Sequence, residues 1–179
     1  MKKGNLVFAT TNPDKIKEAE EILGLEIISE KIELDEIQSL GFVDVITHKA
    51  IQAYEKLGRP VLVEDSGIIF NCLGKLPGVF TKWFTKSIDL DNLVHLIDRY
   101  DDKTVVAVSY FGLYDGSNLK IGVGMLKGKI VPPRGKNGFG WDPIFIPDGS
   151  KETFAEMDGQ TKNTLSMRKL ALKDLFRQI

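Results

Sequence analysis

Cysteine is nearly absent: Cys72 stands alone among 179 residues. A single thiol excludes an intrachain disulfide and any zinc site built on cysteines. A basic excess is also missing, since 24 lysines and arginines face 25 aspartates and glutamates, for a formal net charge of −1. A protein that tracks a nucleic-acid polymer carries a positive surplus, so DNA and RNA are not the expected partners. No run approaches the roughly 20 apolar residues of a membrane span, and the apolar stretch near the start is too short for a signal peptide. The expected location is the cytoplasm. Neither Gly-x-x-x-x-Gly-Lys-Ser/Thr nor Gly-x-Gly-x-x-Gly occurs, which removes the P-loop and disfavours a dinucleotide fold. His48 and His95 belong to no Ser/His/Asp pattern, and there is no internal repeat or long linker.

What remains is ordinary globular material, 42% hydrophobic and 27% charged. The length favours one domain over residues 1–179, or one domain pinched into two lobes around a cleft. Leu6 to Ala9 reads as a buried strand. Asn12 and Pro13 then open a helix, with Ile16, Ala19, Ile22 and Leu23 inward and Gly24 as its stop. A second strand is expected near Glu26 to Ser29. A second helix carries Ile46, Ala50, Ala53, Tyr54 and Leu57 and closes at Gly58. Val61 to Glu64 reads as another buried strand, ending in Asp65-Ser66-Gly67. A helix over about 90–99 carries Leu93, Leu96 and Ile97. Thr104 to Tyr114 and Leu119 to Leu126 form a long hairpin about Asp115-Gly116. A last helix is expected over about 163–176. Helix–strand alternation followed by a hairpin gives an α/β fold with a mixed sheet.

Five places carry chemistry. Gly138-Phe139-Gly140-Trp141-Asp142-Pro143 offers two aromatic surfaces and a carboxylate acceptor, which suits a nucleobase or closes a hairpin core as an aromatic-rich turn. Thr10-Thr11-Asn12 at a helix start, with Lys15 in the first turn, is either a phosphate cradle or a plain capped helix. Glu64 and Asp65 at a strand end favour hard Mg2+ or Mn2+ over zinc; the alternative is a polar turn. Asp44 is a third metal ligand or a first-turn acid, and Lys49 from the same edge reaches a phosphate. Arg168 lies on a stripe with Leu165, Leu172, Leu175 and Ile179, so its guanidinium must be paired, snorkel to water, or border a polar pocket.

Taken in order, these segments resemble the inosine triphosphate pyrophosphatase family, the house-cleaning noncanonical purine nucleoside triphosphatases. Phe8-Ala9-Thr10-Thr11-Asn12 with Lys15, Val63 through Gly67 and Leu76 through Val79 carry the likeness. So do Gly138 through Pro143, Thr153 through Met157 and Lys162-Asn163 with Ser166-Met167-Arg168. The resemblance implies an elongated, two-lobed ITPase-like or Maf-like fold with a central cleft, usually a homodimer. It implies Mg2+, with Mn2+ able to substitute, and cleavage of ITP, dITP or XTP to monophosphate and pyrophosphate. Carried over, Thr10, Asn12, Lys15 and Lys49 hold the triphosphate, and Ser66 assists. Asp44, Glu64 and Asp65 ligate metal or orient water, with Asp65, Lys15 and Lys49 doing the chemistry. Phe139 stacks on the base, and Gly140, Trp141, Asp142, Lys162, Met167 and Arg168 surround its edge. The chain departs from the family at Met167, where relatives carry His, and at Asp44, where they carry Glu. A non-catalytic nucleotide sensor and a nucleotidyltransferase are the competing readings.

Overall fold

The computed structural model describes residues 7–179; Leu6 and the chain start read above lie outside them. Strand β1 (Val7–Ala9) leads into α1 (Pro13–Leu23), whose first turn is organised by the Asn12 side chain accepting the Asp14 N–H at 2.9 Å. Gly24 ends that helix in the left-handed conformation. Strand β2 is Ile28–Glu30, and α2 runs Phe42–Leu57 with Gly58 as its left-handed stop. Then come β3 (Val61–Phe70), α3 (Thr81–Ser87), α4 (Leu90–Asp98), β4 (Thr104–Tyr114) and β5 (Leu119–Ile130). Strand β6 (Phe145–Pro147) and helices α5 (Gly159–Leu165) and α6 (Met167–Phe176) complete the described chain.

The strands form one six-stranded sheet in the order β2-β1-β3-β4-β5-β6. β1 is parallel to β2 and to β3, and every later pairing is antiparallel. From β1 the chain passes through α1 to β2 on one side, then returns through α2 to β3 on the other. The two helices cover opposite faces. Ala19 of α1 and Ala171, Leu172 and Leu175 of α6 pack with Phe8, Leu62 and Phe111, whereas Ile46, Ala50 and Ala53 of α2 pack with Ala9, Val61 and Val63. The carboxyl end of β1 is therefore a topological switch point, where the diverging connections leave a crevice for ligand.

Several local expectations are corrected by long-range pairing. β3 does not end at Glu64, because β4 accompanies it from Val61↔Tyr114 to Phe70↔Val105 and holds Asp65, Ser66 and Gly67 extended. The last helix is two helices: Ser166 has ψ 150° and caps α6 by accepting the Lys169 N–H at 3.3 Å. The stripe proposed across that break does not exist, for Leu165 and Ile179 are 43% and 53% exposed. In α4, Val94 rather than Leu96 turns inward beside Leu93 and Ile97. α6 lies directly on β5, and a Cβ at Gly124 would run into the Met167 carbonyl.

Candidate active site

Glu64 and Asp65 are neighbours on β3, so their side chains leave opposite faces of the sheet. Glu64 meets Lys15 of α1 at 2.5 Å, and Asp65 meets Lys49 of α2 at 2.7 Å. Glu64 is fully covered and also accepts the Ser109 hydroxyl at 2.9 Å and an Arg168 N–H at 3.1 Å. Burial alone would raise its carboxyl, but Lys15 and Arg168 hold it at about 2. For Asp65 the balance is reversed: burial prevails over Lys49 and Lys15 and lifts the carboxyl above the ordinary aspartate range. The Thr10–Asn12 turn follows the carboxyl end of β1, the strand that pairs with β3 on this side. The Thr10 hydroxyl accepts the Asn12 N–H at 3.2 Å, and the Asn12 carbonyl oxygen of the side chain is spent on capping.

The other half of the site gathers around the 138–143 loop. Asp142 is buried, accepts the Phe139 N–H at 2.8 Å and binds the Lys162 ammonium at 2.6 Å. Burial outweighs Lys162 and raises its carboxyl. Gly138 has φ 72°, and a Cβ there would strike the Asp142 carboxylate, so this glycine serves loop closure. The Lys162 ammonium lies 4.8 Å, and the Arg168 guanidinium 5.7 Å, from the centre of the half-buried Phe139 ring. Gly140 is exposed. Trp141 is not an aromatic surface for a ligand: it is 8% exposed and meets Phe145 edge-on at 5.4 Å within the core. Met167 is likewise a core residue, packed in the cluster that holds Trp141 and Phe154. Ser66, on the same face as Glu64, accepts an Arg168 N–H at 3.3 Å.

Arg168, at 1% exposure, lies between two carboxylates, Glu64 and Glu18. Burial works against its charge, yet the two glutamates hold its pKa above the usual arginine value. Glu18 binds Lys162 with its other oxygen at 2.6 Å.

On the Asp65 face a cavity of about 300 Å3 is lined by Asp65, Lys49, Glu36, Val79, Phe80 and Trp83, among others. Lys82 of α3 pairs with Glu36 at 3.0 Å. Asp44 is elsewhere. It accepts the Ser39 hydroxyl at 2.7 Å, and Ser39 in turn accepts the Gly41 N–H at 3.0 Å, so Asp44 organises the first turn of α2. Asp44, Glu64 and Asp65 do not assemble: among the described residues no three His, Cys, Asp or Glu side chains are placed to hold a metal ion. The pleat separates the latter two, and the helix start retains the first.

Four residues of this arrangement escaped the sequence analysis. Glu36 follows the carboxyl end of β2, beside the switch point, and that position was the signal available. Ser109 shows as a lone polar residue within an apolar strand. Glu18 sits next to Ala19 on the inward side of α1. Lys82 had no local signal, since α3 takes its place from packing against β3.

The Ham1 family model matches residues 6–178. A protein of Scheffersomyces stipitis named inosine triphosphate pyrophosphatase is 39% identical over 186 residues, covering 95% of each chain. One of the same name from Tuber melanosporum is 42% identical over 175 residues, covering 95% of this chain and 94% of its own. Among solved structures, a HAM1 protein from Coxiella burnetii matches with a TM-score of 0.83 at 30% identity, covering 97% of this chain and 96% of its own. A nucleoside-triphosphatase / dITP/XTP pyrophosphatase from Mycobacterium abscessus matches with a TM-score of 0.74 at 28% identity, covering 94% and 96%.

Proposed function

The chain belongs to the Ham1 family, and from that premise we propose that it clears noncanonical purine nucleotides as a nucleoside-triphosphate pyrophosphatase. It hydrolyses ITP, dITP and XTP to the monophosphate and pyrophosphate. Water attacks the α-phosphorus, the bond to the bridging oxygen breaks, and pyrophosphate leaves with that electron pair. One observation supports this above the rest: Lys15 and Lys49 reach adjacent residues of β3 from opposite faces of the sheet at the switch point, each held by a carboxylate. The two ammonium groups supply charge to a triphosphate lying across the end of β1, and the Thr10–Asn12 turn receives it. Asp65 orients or deprotonates the water, and its elevated pKa suits a base.

Mg2+, or Mn2+ in its place, fits the Asp65 face. Glu36 and Asp65 are two hard oxygen donors lining one cavity, a number that would suit Mg2+ when substrate phosphates complete its shell. When bound, the ion supplies charge neutralisation at the phosphate oxygens. Lys82, paired with Glu36, adds a further cation for the phosphates.

The purine stacks on Phe139, with its edge toward Lys162 and Arg168. Both are donors, so a 6-keto purine is accepted and the 6-amino group of adenine is opposed. Each mismatch costs about 1–3 kcal/mol, or roughly 5- to 150-fold. A single domain with two lobes, a homodimer and a cytoplasmic location belong to the same proposal; among the described residues no helix is long and apolar enough to cross a membrane. Incubation with ITP, XTP, dITP, GTP and ATP plus Mg2+ tests the reading. Pyrophosphate from ITP without an added acceptor supports it. Orthophosphate alone means attack at the γ-phosphorus, and no release means a nucleotide sensor.

A further inference from the structure

Six charged side chains form an unbroken, alternating and charge-balanced chain through the site. Lys15 pairs with Glu64 at 2.5 Å, Glu64 with Arg168 at 3.1 Å, and Arg168 with Glu18. Glu18 pairs with Lys162 at 2.6 Å, and Lys162 with Asp142 at 2.6 Å. The chain begins at the triphosphate end of the proposed site and finishes under Phe139, where Asp142 accepts the ring residue's own N–H. Its central members are buried: Glu64 is 6%, Glu18 8%, Lys162 4% and Arg168 1% exposed. In a low-dielectric interior such ion pairs are strong and cannot be exchanged for water, so moving one charge moves its partners.

Among the described residues Glu18 is the only carboxylate paired with both base-side cations, one oxygen on each. It stands on α1, three residues beyond Lys15, so the helix that carries the phosphate lysine also carries the anchor for the purine donors. The Nε of Arg168 is buried and has no hydrogen-bond partner among the described residues, so the guanidinium is held through its two terminal nitrogens, one on Glu18 and the other on Glu64 and Ser66. A purine that engages it shifts the load on Glu64 and Glu18 together, and Glu64 is what holds Lys15.

We propose that Glu18 is a positioning residue that makes purine binding and pyrophosphate binding cooperative, by tying Arg168 and Lys162 into the ion-pair chain that ends on Lys15. The proposal rests on the pyrophosphatase reading, and concerns its two products. Thermodynamic coupling of this kind is reciprocal and typically 5- to 150-fold.

The test is calorimetric titration of the full chain with pyrophosphate, in Mg2+, with and without saturating IMP. In the wild type, IMP is expected to tighten the pyrophosphate Kd by roughly 5-fold or more. In Glu18→Gln the two Kd values converge, so that their ratio within the variant, rather than either value against wild type, reports the loss of coupling. Glu18→Asp restores part of the coupling. Should Glu18→Gln fold poorly, Glu18→Asp is read in its place, with coupling expected to fall below that of the wild type, and the wild-type arm needs no variant. Equal pyrophosphate affinity with and without IMP in the wild type overturns the coupling, as does full coupling in Glu18→Gln. If neither IMP nor pyrophosphate binds the wild type, the pyrophosphatase reading falls and takes this one with it.

Discussion

Glu64 and Asp65 are consecutive on β3, yet they answer to different helices: Glu64 is bound by Lys15 of α1 and Asp65 by Lys49 of α2. One peptide bond thus divides a fully covered carboxylate from one that lines the cavity. The first is fully covered and held at about 2, and the second is held above its ordinary range.

That division predicts the effect of Asp65→Asn. The amide keeps the shape and can still contact Lys49, so unfolding in urea should change by less than about 1 kcal/mol. Turnover of ITP should fall by about 100-fold or more, the usual contribution of a positioned base. Near-normal turnover would remove Asp65 from the chemistry.

Glu64 makes stability depend on acid. Its folded pKa of about 2 lies below the reference value of 4.5. The stabilisation is therefore complete above pH 4.5 and is lost as pH falls toward 2, on the order of 3 kcal/mol in all. Asp65 and Asp142 shift the other way and oppose this trend. The informative quantity is the difference between the wild type and Glu64→Gln. That difference should shrink steadily across the window in urea unfolding; a constant difference would refute the assignment.

Arg168 holds two buried glutamates apart. Arg168→Met leaves Glu18 and Glu64 facing each other without it and should cost about 3–5 kcal/mol. Arg168→Lys should recover little, since a single ammonium lacks the fork that spans both carboxylates. Thermal unfolding of the two variants checks this, and full recovery by lysine would count against the bridging role.

Phe139 and Trp141 are two residues apart and should behave oppositely. Phe139→Ala removes a half-buried ring at the proposed base site, so KM for ITP should rise by roughly 5- to 150-fold, the worth of one stacked base, with little change in stability. Trp141→Ala opens a hole beside Phe145 and Phe154 and should cost about 3–5 kcal/mol of stability. Equal losses of stability in both variants would contradict the separation.

Much of the fold was legible because its signals are local. The Asn12 cap, Pro13, the left-handed Gly24 and Gly58 and the β4 boundaries all depend on residues a few positions apart. Arg168 was legible as a charge that faces the interior and needs a partner. The partners were not: Glu18 meets Lys162 and Arg168 across 144 and 150 residues of chain. Asp65-Ser66-Gly67 has the composition of a turn and is kept extended only by β4. Trp141 shares a motif with Phe139 but takes the opposite side of it, which depends on Phe145 and Phe154 being there to receive it.

From its own residues the chain determined where helices begin and stop, which side chains must avoid water, and which family its ordered motifs resemble. Tertiary structure alone decided which charges neighbour one another. An acid's role here follows from the face it leaves the sheet by and the cation that waits there, and those cations arrive from helices distant in sequence. Local periodicity specifies a face, whereas electrostatic partnership requires the whole fold to close.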